Sequence, residues 1–193
     1  FAVNDDHFAQ RRADERIVGI VMRGGELIHE RTIRNDMLTF PNLETMAFFP
    51  DGSLRVYKSR ELSPQEYRQM GATDVFAFGP ILVRDGIVNE MLHDRFFGRQ
   101  PRCAFGMVEP YHYICLVAEG RHKGTGGAQI LWVAQRMQAL GATQALNLDG
   151  GNTTALVFMG EKLNATADAG PDANVRSLGG MLGIGTSDLV PQE

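Results

Sequence analysis

A short apolar strand, a turn built on Gly, Pro or Asp, and a second short strand: this unit recurs through the first part of the chain and limits the fold more than any other feature. Ile17 to Met22 and Glu26 to Glu30 flank Arg23-Gly24-Gly25. Thr45 to Phe49 and Leu54 to Tyr57 flank Pro50-Asp51-Gly52-Ser53, where proline presets φ and glycine supplies a positive one. Asp74 to Phe78 passes through Gly79-Pro80 into Ile81-Leu82-Val83, Arg84-Asp85-Gly86 turns into Ile87-Val88, and Arg102 to Val108 meets His112 to Ala118. Turns this short join antiparallel neighbours, so each pair is expected to be a hairpin.

Two helical patterns interrupt the strands. Ser63-Pro64-Gln65-Glu66 is a capping box with proline at the first helical position, and that helix should stop at Gly71. A second helix is expected from about Ala128 to Leu140, with an apolar stripe of Ile130, Leu131, Val133, Ala134, Met137 and Leu140 and a stop at Gly141. Trp132 falls off that stripe and is expected to pack at the sheet edge. Gly124-Thr125-Gly126-Gly127 lacks the Lys-Ser/Thr of a phosphate-binding loop and reads as a flexible entry to the helix. Residues 164–174 read as a loop, with a chance glycosylation sequon at Asn164-Ala165-Thr166, and Arg176 to Ile184 as a closing strand.

At 193 residues and 44% hydrophobic content the chain suits one core, hence one strand-rich α+β domain over 1–193, with antiparallel or mixed sheets and two main helices. It starts Phe-Ala-Val-Asn in mid-strand, so an N-terminal part of the full protein is expected to be missing. The net charge of −4 carries no basic patch, which argues against nucleic acid, and no apolar run reaches the roughly 18 residues of a membrane span. Cys103 and Cys115 lie in paired strand patterns and are expected to be free. Oligomeric state is left open.

The densest polar feature is Ala145-Leu146-Asn147-Leu148-Asp149-Gly150-Gly151-Asn152-Thr153-Thr154, a strand delivering a carboxylate beside two glycines. Ile114 to Ala118 does the same for Glu119-Gly120-Arg121. If those two strands are neighbours through the intervening helix, both carboxylates emerge at one sheet edge. Asp149 and Glu119 are then candidate catalytic groups, the pair that glycoside cleavage uses. Arg102 and Arg121 can fork onto a phosphate, and the Gly150 and Gly151 amides with the Thr153 and Thr154 hydroxyls can add donors. A sugar 1-phosphodiester would use all of these. The plainer reading pairs the arginines with Glu119 and Asp149 at the surface. His7, His112 and His122 read as solvated or structural. Asn4, Asp5, Asp6, His7 and Asp149 form a possible metal set, but no spacing matches an established ligand set, so no metal is assigned and no cofactor is called for.

Arg102-Cys103-Ala104-Phe105-Gly106, Ile114-Cys115-Leu116-Val117-Ala118-Glu119-Gly120-Arg121 and Ala145 to Thr154 resemble the phosphodiester glycosidase family. The likeness extends to Ala2-Val3-Asn4 through Phe8, to Val18-Gly19-Ile20-Val21 with Gly25-Glu26-Leu27-Ile28, and to Phe78 through Gly86, and so covers nearly the whole chain. The resemblance implies substrate-binding roles for Asn4, Arg102, Arg121, Asn147, Gly150, Gly151, Thr153 and Thr154 around Asp149 and Glu119. The family usually has Asn-Gly-Gly-Phe-Phe where this chain has Asn4-Asp5-Asp6-His7-Phe8, Asp-Gly-Arg where it has Glu119-Gly120-Arg121, and Gly-Ser-Ser where it has Asn152-Thr153-Thr154. The implied function is hydrolysis of a sugar 1-phosphodiester at the anomeric C–O bond, in cell-surface or exopolysaccharide material, outside the cell or in the periplasm. Two other readings stay open: a non-catalytic polysaccharide or sugar-phosphate binding module, and a phosphodiesterase that cuts P–O.

Overall fold

The computed structural model describes residues 1–4, 19–31, 43–92, 98–122, 124–165 and 180–185. The expectations placed on Asp5, Asp6, His7 and Phe8, on 17–18, and on 166–174 and 176–179 lie outside the described residues.

The strands are β1 (Ala2–Asn4), β2 (Gly19–Arg23), β3 (Glu26–Arg31), β4 (Glu44–Phe48), β5 (Leu54–Tyr57), β6 (Asp74–Phe78), β7 (Ile81–Arg84), β8 (Ile87–Val88), β9 (Arg102–Glu109), β10 (His112–Ala118), β11 (Gln144–Leu148), β12 (Leu156–Phe158), β13 (Glu161–Lys162) and β14 (Met181–Gly183). The described helices are α1 (Pro64–Gln69) and α2 (Ile130–Ala139). Strands dominate, so the α+β expectation holds only loosely. They form sheets in the orders β3-β2-β6-β4-β5, β10-β9-β11-β7-β8 and β13-β12-β1-β14, and every pairing among the described strands is antiparallel.

The hairpins expected at β2/β3, β4/β5, β7/β8 and β9/β10 are present. The one expected across Gly79-Pro80 is not. There β6 stays in the first five-stranded sheet while β7 enters the second, so the dipeptide carries the chain between sheets. Its peptide bond is cis, and Gly79 has φ 104, a left-handed value that only glycine adopts at little cost.

The two five-stranded sheets face each other across an apolar core of Met46, Leu54, Val56 and Phe76 against Ile81, Phe105, Leu146 and Leu148. On the outer face of the second sheet, Ile130, Val133, Ala134 and Met137 of α2 pack on Leu82, Val83, Ala104 and Ala145. On the outer face of the first, Tyr67 of α1 joins Ile20, Met22, Ala47 and Val75. A sheet covered on both faces reads as a continuous apolar run. Within that run residue size alternates: β9 sends Cys103, Phe105 and Met107 inward, and leaves Ala104 and Gly106 for the helix. A Cβ on Gly106 would lie 2.4 Å from the Gln144 carbonyl oxygen, so the strands there admit no side chain.

Both helix ends match expectation. Ser63 and Glu66 close the capping box reciprocally, and Gly71 and Gly141 take φ 79 and 92 beyond the helix ends. Leu140, expected on the buried stripe, is exposed. Neither Cys103 nor Cys115 is in a disulfide; Cys103 is opposite Val117 and Cys115 opposite Phe105, so the thiols share the inner face on a diagonal. Among the described residues no helix is long and apolar enough to cross a membrane.

Candidate functional site

β9 is antiparallel to both of its neighbours, β10 and β11, with Arg102 opposite Ala118 and Cys103 opposite Leu148. The start of β9 and the ends of β10 and β11 therefore share one edge, bringing Arg102, Glu119 and Asp149 together there. The reason differs from the one expected: β10 and β11 are not neighbours but flank β9. The third sheet adds Asn4 at the end of β1, whose side-chain amide donates to the Asp149 carbonyl and accepts from the Ala155 amide at 3.1 Å.

Asp149 is held by its own turn. Its Oδ1 accepts from the Gly150 amide at 2.9 Å and its Oδ2 from the Thr153 hydroxyl at 2.8 Å, while Gly151–Thr153 forms one turn of 3₁₀ helix. The Gly151 amide donates to the Pro101 carbonyl at 3.0 Å. A Cβ on Gly150 would stand 2.4 Å from that same oxygen, which explains glycine at a position whose φ of −127 asks for none. The Gly150 and Gly151 amides and the Thr153 hydroxyl, expected as phosphate donors, are here directed to the turn's own carboxylate and to Pro101, and they fix Asp149. Thr154 remains different. Its buried hydroxyl has no hydrogen-bond partner, and its carbonyl accepts from Asn164 at 3.0 Å.

Asn147 is buried and clasps the inter-sheet crossing. Its amide donates to the Pro80 carbonyl, its carbonyl accepts from the Gly79 amide, and its side-chain nitrogen reaches the Gly79 carbonyl at 3.0 Å. Its Oδ1 is buried with no partner.

Among the described residues, the hydrogen bonds of the two arginines go to carbonyl and amide oxygens rather than to Glu119 or Asp149. Arg102, only 7% exposed, donates to the carbonyls of Ala128 at 3.3 Å and Gly98 at 3.2 Å. Arg121 sits at φ 58, a left-handed conformation that is costly for a residue with a Cβ. It donates from Nε and Nη2 to Gln100 Oε1, and from Nη1 to Asn152 Oδ1 at 3.0 Å. Burial, and then the charge of Arg121, lower the pKa of the Arg102 guanidinium to about 10. Two like charges are thus held near each other at the edge that carries Asp149.

Glu119 takes a hydrogen bond from the Ala165 amide at 2.6 Å and lies 3.3 Å from His122 Nε2, an ion pair when the imidazole is protonated. His122, read from sequence as solvated or structural, is thus a direct neighbour of a candidate carboxylate; the i,i+3 spacing was the available signal. Of the partners of Arg121, Gln100 carried no signal, while Asn152 stood in the dense polar stretch without an assigned role. The sequon asparagine, Asn164, is buried with its amide spent on Leu156, Thr154 and Ala165, so it is a brace and not a glycan acceptor. Beside Glu119 opens a cleft of about 270 Å³ bounded by Arg99, Gln129 and Trp132. Trp132 is 51% exposed there, beside Ala118 at the end of the edge strand β10. The Gly124–Gly127 entry is also tied down: Ala128 and Gln100 bond reciprocally, and a Cβ on Gly127 would meet Gln100 backbone at 2.4 Å. No group of three or more His, Cys, Asp or Glu side chains suited to a metal occurs among the described residues. Asp5, Asp6 and His7 of the possible metal set lie outside them.

The catalytic domain of zebrafish N-acetylglucosamine-1-phosphodiester alpha-N-acetylglucosaminidase, auto-inhibited by its pro-peptide, superposes with a TM-score of 0.73 over 96% of this chain and 63% of that one, at 17% identity. A hypothetical protein from Synechocystis superposes with a TM-score of 0.55 over 86% of this chain and 48% of that one, also at 17% identity. At such identities the likeness is one of fold. The SPbeta prophage-derived uncharacterized protein YomE of Bacillus subtilis is 25% identical over 160 residues, 81% of this chain and 24% of that protein. The chain thus spans about a quarter of the curated relative it matches. The family model described as phosphodiester glycosidase matches residues 1–185, and with that extent the chain belongs to the phosphodiester glycosidase family.

Proposed function

We propose that this protein hydrolyses a sugar 1-phosphodiester by breaking the bond between the anomeric carbon and the bridging oxygen. The observation that carries the reading is the juxtaposition of Arg102 and Arg121 at the strand edge that presents Asp149 and Glu119. Burial, and after it the charge of Arg121, lower the Arg102 pKa, and an anion between the two guanidinium groups relieves both costs; a phosphodiester supplies one. The zebrafish relative is named for a substrate of this kind.

In this reading the arginines hold the phosphate and take up the charge that grows on it as the C–O bond breaks. The leaving group is a phosphate monoester, so it needs little help from an acid. Asp149, oriented by Thr153 and the Gly150 amide, and Glu119, held by the Ala165 amide with His122 beside it, are the working carboxylates at the sugar carbon. Water supplies the new anomeric hydroxyl, its other proton passes to a carboxylate and then to solvent, and the bridging oxygen departs on the phosphate. Cell-surface or exopolysaccharide phosphodiesters outside the cytoplasm or in the periplasm are the substrates this reading favours.

Asp149→Asn tests it. The variant should fold as the parent does by circular dichroism and lose about 10²–10⁴-fold in hydrolysis of a sugar 1-phosphodiester. In ¹⁸O water the label should enter the sugar. Label in the phosphate would mean P–O cleavage, and saturable binding without turnover at any pH would mean a binding module; either result overturns the proposal.

A further inference from the structure

The cleft beside Glu119 is a place where the chain leaves recognition groups unspent. Gln129 occupies the N-cap of α2, yet its side chain makes no capping bond, against the usual preference for short polar residues at that position. Trp132 follows three residues later, so the two share one helix face. An indole 51% exposed on the first turn of a helix whose other face is packed on the sheet leaves a large apolar surface uncovered. Arg99 stands across the cleft against Gly126, where the missing side chain leaves its Cδ 3.8 Å from the position of a Cβ. Among the described residues, the side chains of Arg99, Gln129 and Trp132 have no hydrogen-bond or ionic partner in the protein.

A flat apolar face with donors and acceptors at its rim is the surface a pyranose ring fits: its axial C–H groups pack on an aromatic face while its hydroxyls take the polar groups. The cleft, at about 270 Å³, lies just below the roughly 300 Å³ where small-molecule sites begin, so it holds one ring and not a chain of them. Glu119 borders the cleft, and the floor residue Ala128 is the one whose carbonyl holds Arg102. A ring on Trp132 therefore lies beside a candidate carboxylate and is separated from the buried arginine by the Ala128 peptide.

We infer that Trp132, Gln129 and Arg99 form the monosaccharide subsite of this protein, with the indole as the platform for the sugar ring. The inference rests on the glycosidase reading above, and its test is separable from that of the reaction.

Trp132 is the only tryptophan in the chain, so its emission reports on this cleft alone. Titration of the intact protein with N-acetylglucosamine, glucose, mannose and galactose should give a saturable change in emission with at least one sugar, and none with inorganic phosphate. Gln129→Ala and Arg99→Ala should keep the starting emission and weaken that sugar several-fold. By calorimetry, Trp132→Ala should abolish sugar binding and Trp132→Phe should retain most of it, because a ring is what the site needs. For hydrolysis, Trp132→Phe should raise KM with kcat little changed. No emission change with any of the four sugars at millimolar concentration overturns the subsite, even if the Asp149→Asn result upholds the glycosidase. Equal sugar affinity in Trp132→Ala and the parent overturns it as well.

Discussion

Replacing Gly150 by alanine would put a methyl carbon 2.4 Å from the carbonyl oxygen of Pro101, well inside van der Waals contact. Neither side of that contact can rotate away. Pro101 leads directly into β9, whose pairing with β11 fixes the separation, and the obstructing atom is backbone. The backbone angles at Gly150 are ordinary extended values, so the whole penalty is steric. Relieving it means parting the turn from Pro101, which breaks the bond from the Gly151 amide to that oxygen. The lost hydrogen bond is worth about 0.5–1.5 kcal/mol and the overpacking about 1–3 kcal/mol, for a total loss near 2–4 kcal/mol. Gly126→Ala is the internal control: its φ is not left-handed and its nearest neighbour is 3.8 Å away, so alanine there should be neutral or stabilise by up to about 1 kcal/mol. Urea unfolding followed by far-ultraviolet circular dichroism measures both. A Gly150→Ala variant within about 0.5 kcal/mol of the parent, the scatter of ordinary surface changes, would refute the reasoning. The same variant should lose hydrolysis under conditions where it is fully folded, because the Gly150 amide that orients Asp149 moves with the turn.

Two further outcomes follow from groups around this edge. Asn4→Ala removes a buried side chain that bonds both the Asp149 carbonyl and the Ala155 amide, and should cost about 2–3 kcal/mol in urea unfolding; a loss below about 0.5 kcal/mol would argue against those bonds. Glu44 accepts from the Ile81 amide, and burial raises its pKa above the usual carboxylate value despite that bond and the charges of Lys58 and Arg84. A folded-state pKa above the unfolded one means the folded state holds the proton more tightly. That contribution to stability is full below the unfolded pKa and is lost as pH rises through the folded one. Glu44→Gln should therefore flatten the stability profile in that window and be at least as stable as the parent at neutral pH; an unchanged profile would count against the assignment.

Local features were legible in the sequence and long-range ones were not. Pro50-Asp51-Gly52-Ser53 and Arg23-Gly24-Gly25 announce hairpins because the turn residues and both strands lie within a few positions of each other. Gly79-Pro80 has the same local look, yet its strands part into different sheets, and only packing against Asn147, remote in sequence, makes that crossing. The carboxylates at Asp149 and Glu119 stood out because each ends an apolar run beside glycine. What those glycines do was hidden. Whether the Gly150 amide faces a ligand or its own Asp149 depends on Pro101, which β9 brings into place. The cleft at Trp132 was hidden for a related reason: its helical angle was readable, but the open space beside it is formed by Glu119 and Arg99 from other parts of the chain.

The seat of Asn4 has a bearing on when the molecule becomes competent. β1 is an inner strand of its sheet, bonded on one side to β12 and on the other to β14, so three residues near position 3 wait for partners at 156–157 and 181–183. Contacts that distant are entropically expensive to close and form late. The hairpins and α2 can assemble beforehand, but the carbonyl of Asp149 gains its Asn4 partner only when that last sheet zips together. The onset of activity during refolding would then trail the gain of β structure, and the site would mature as the final act of folding.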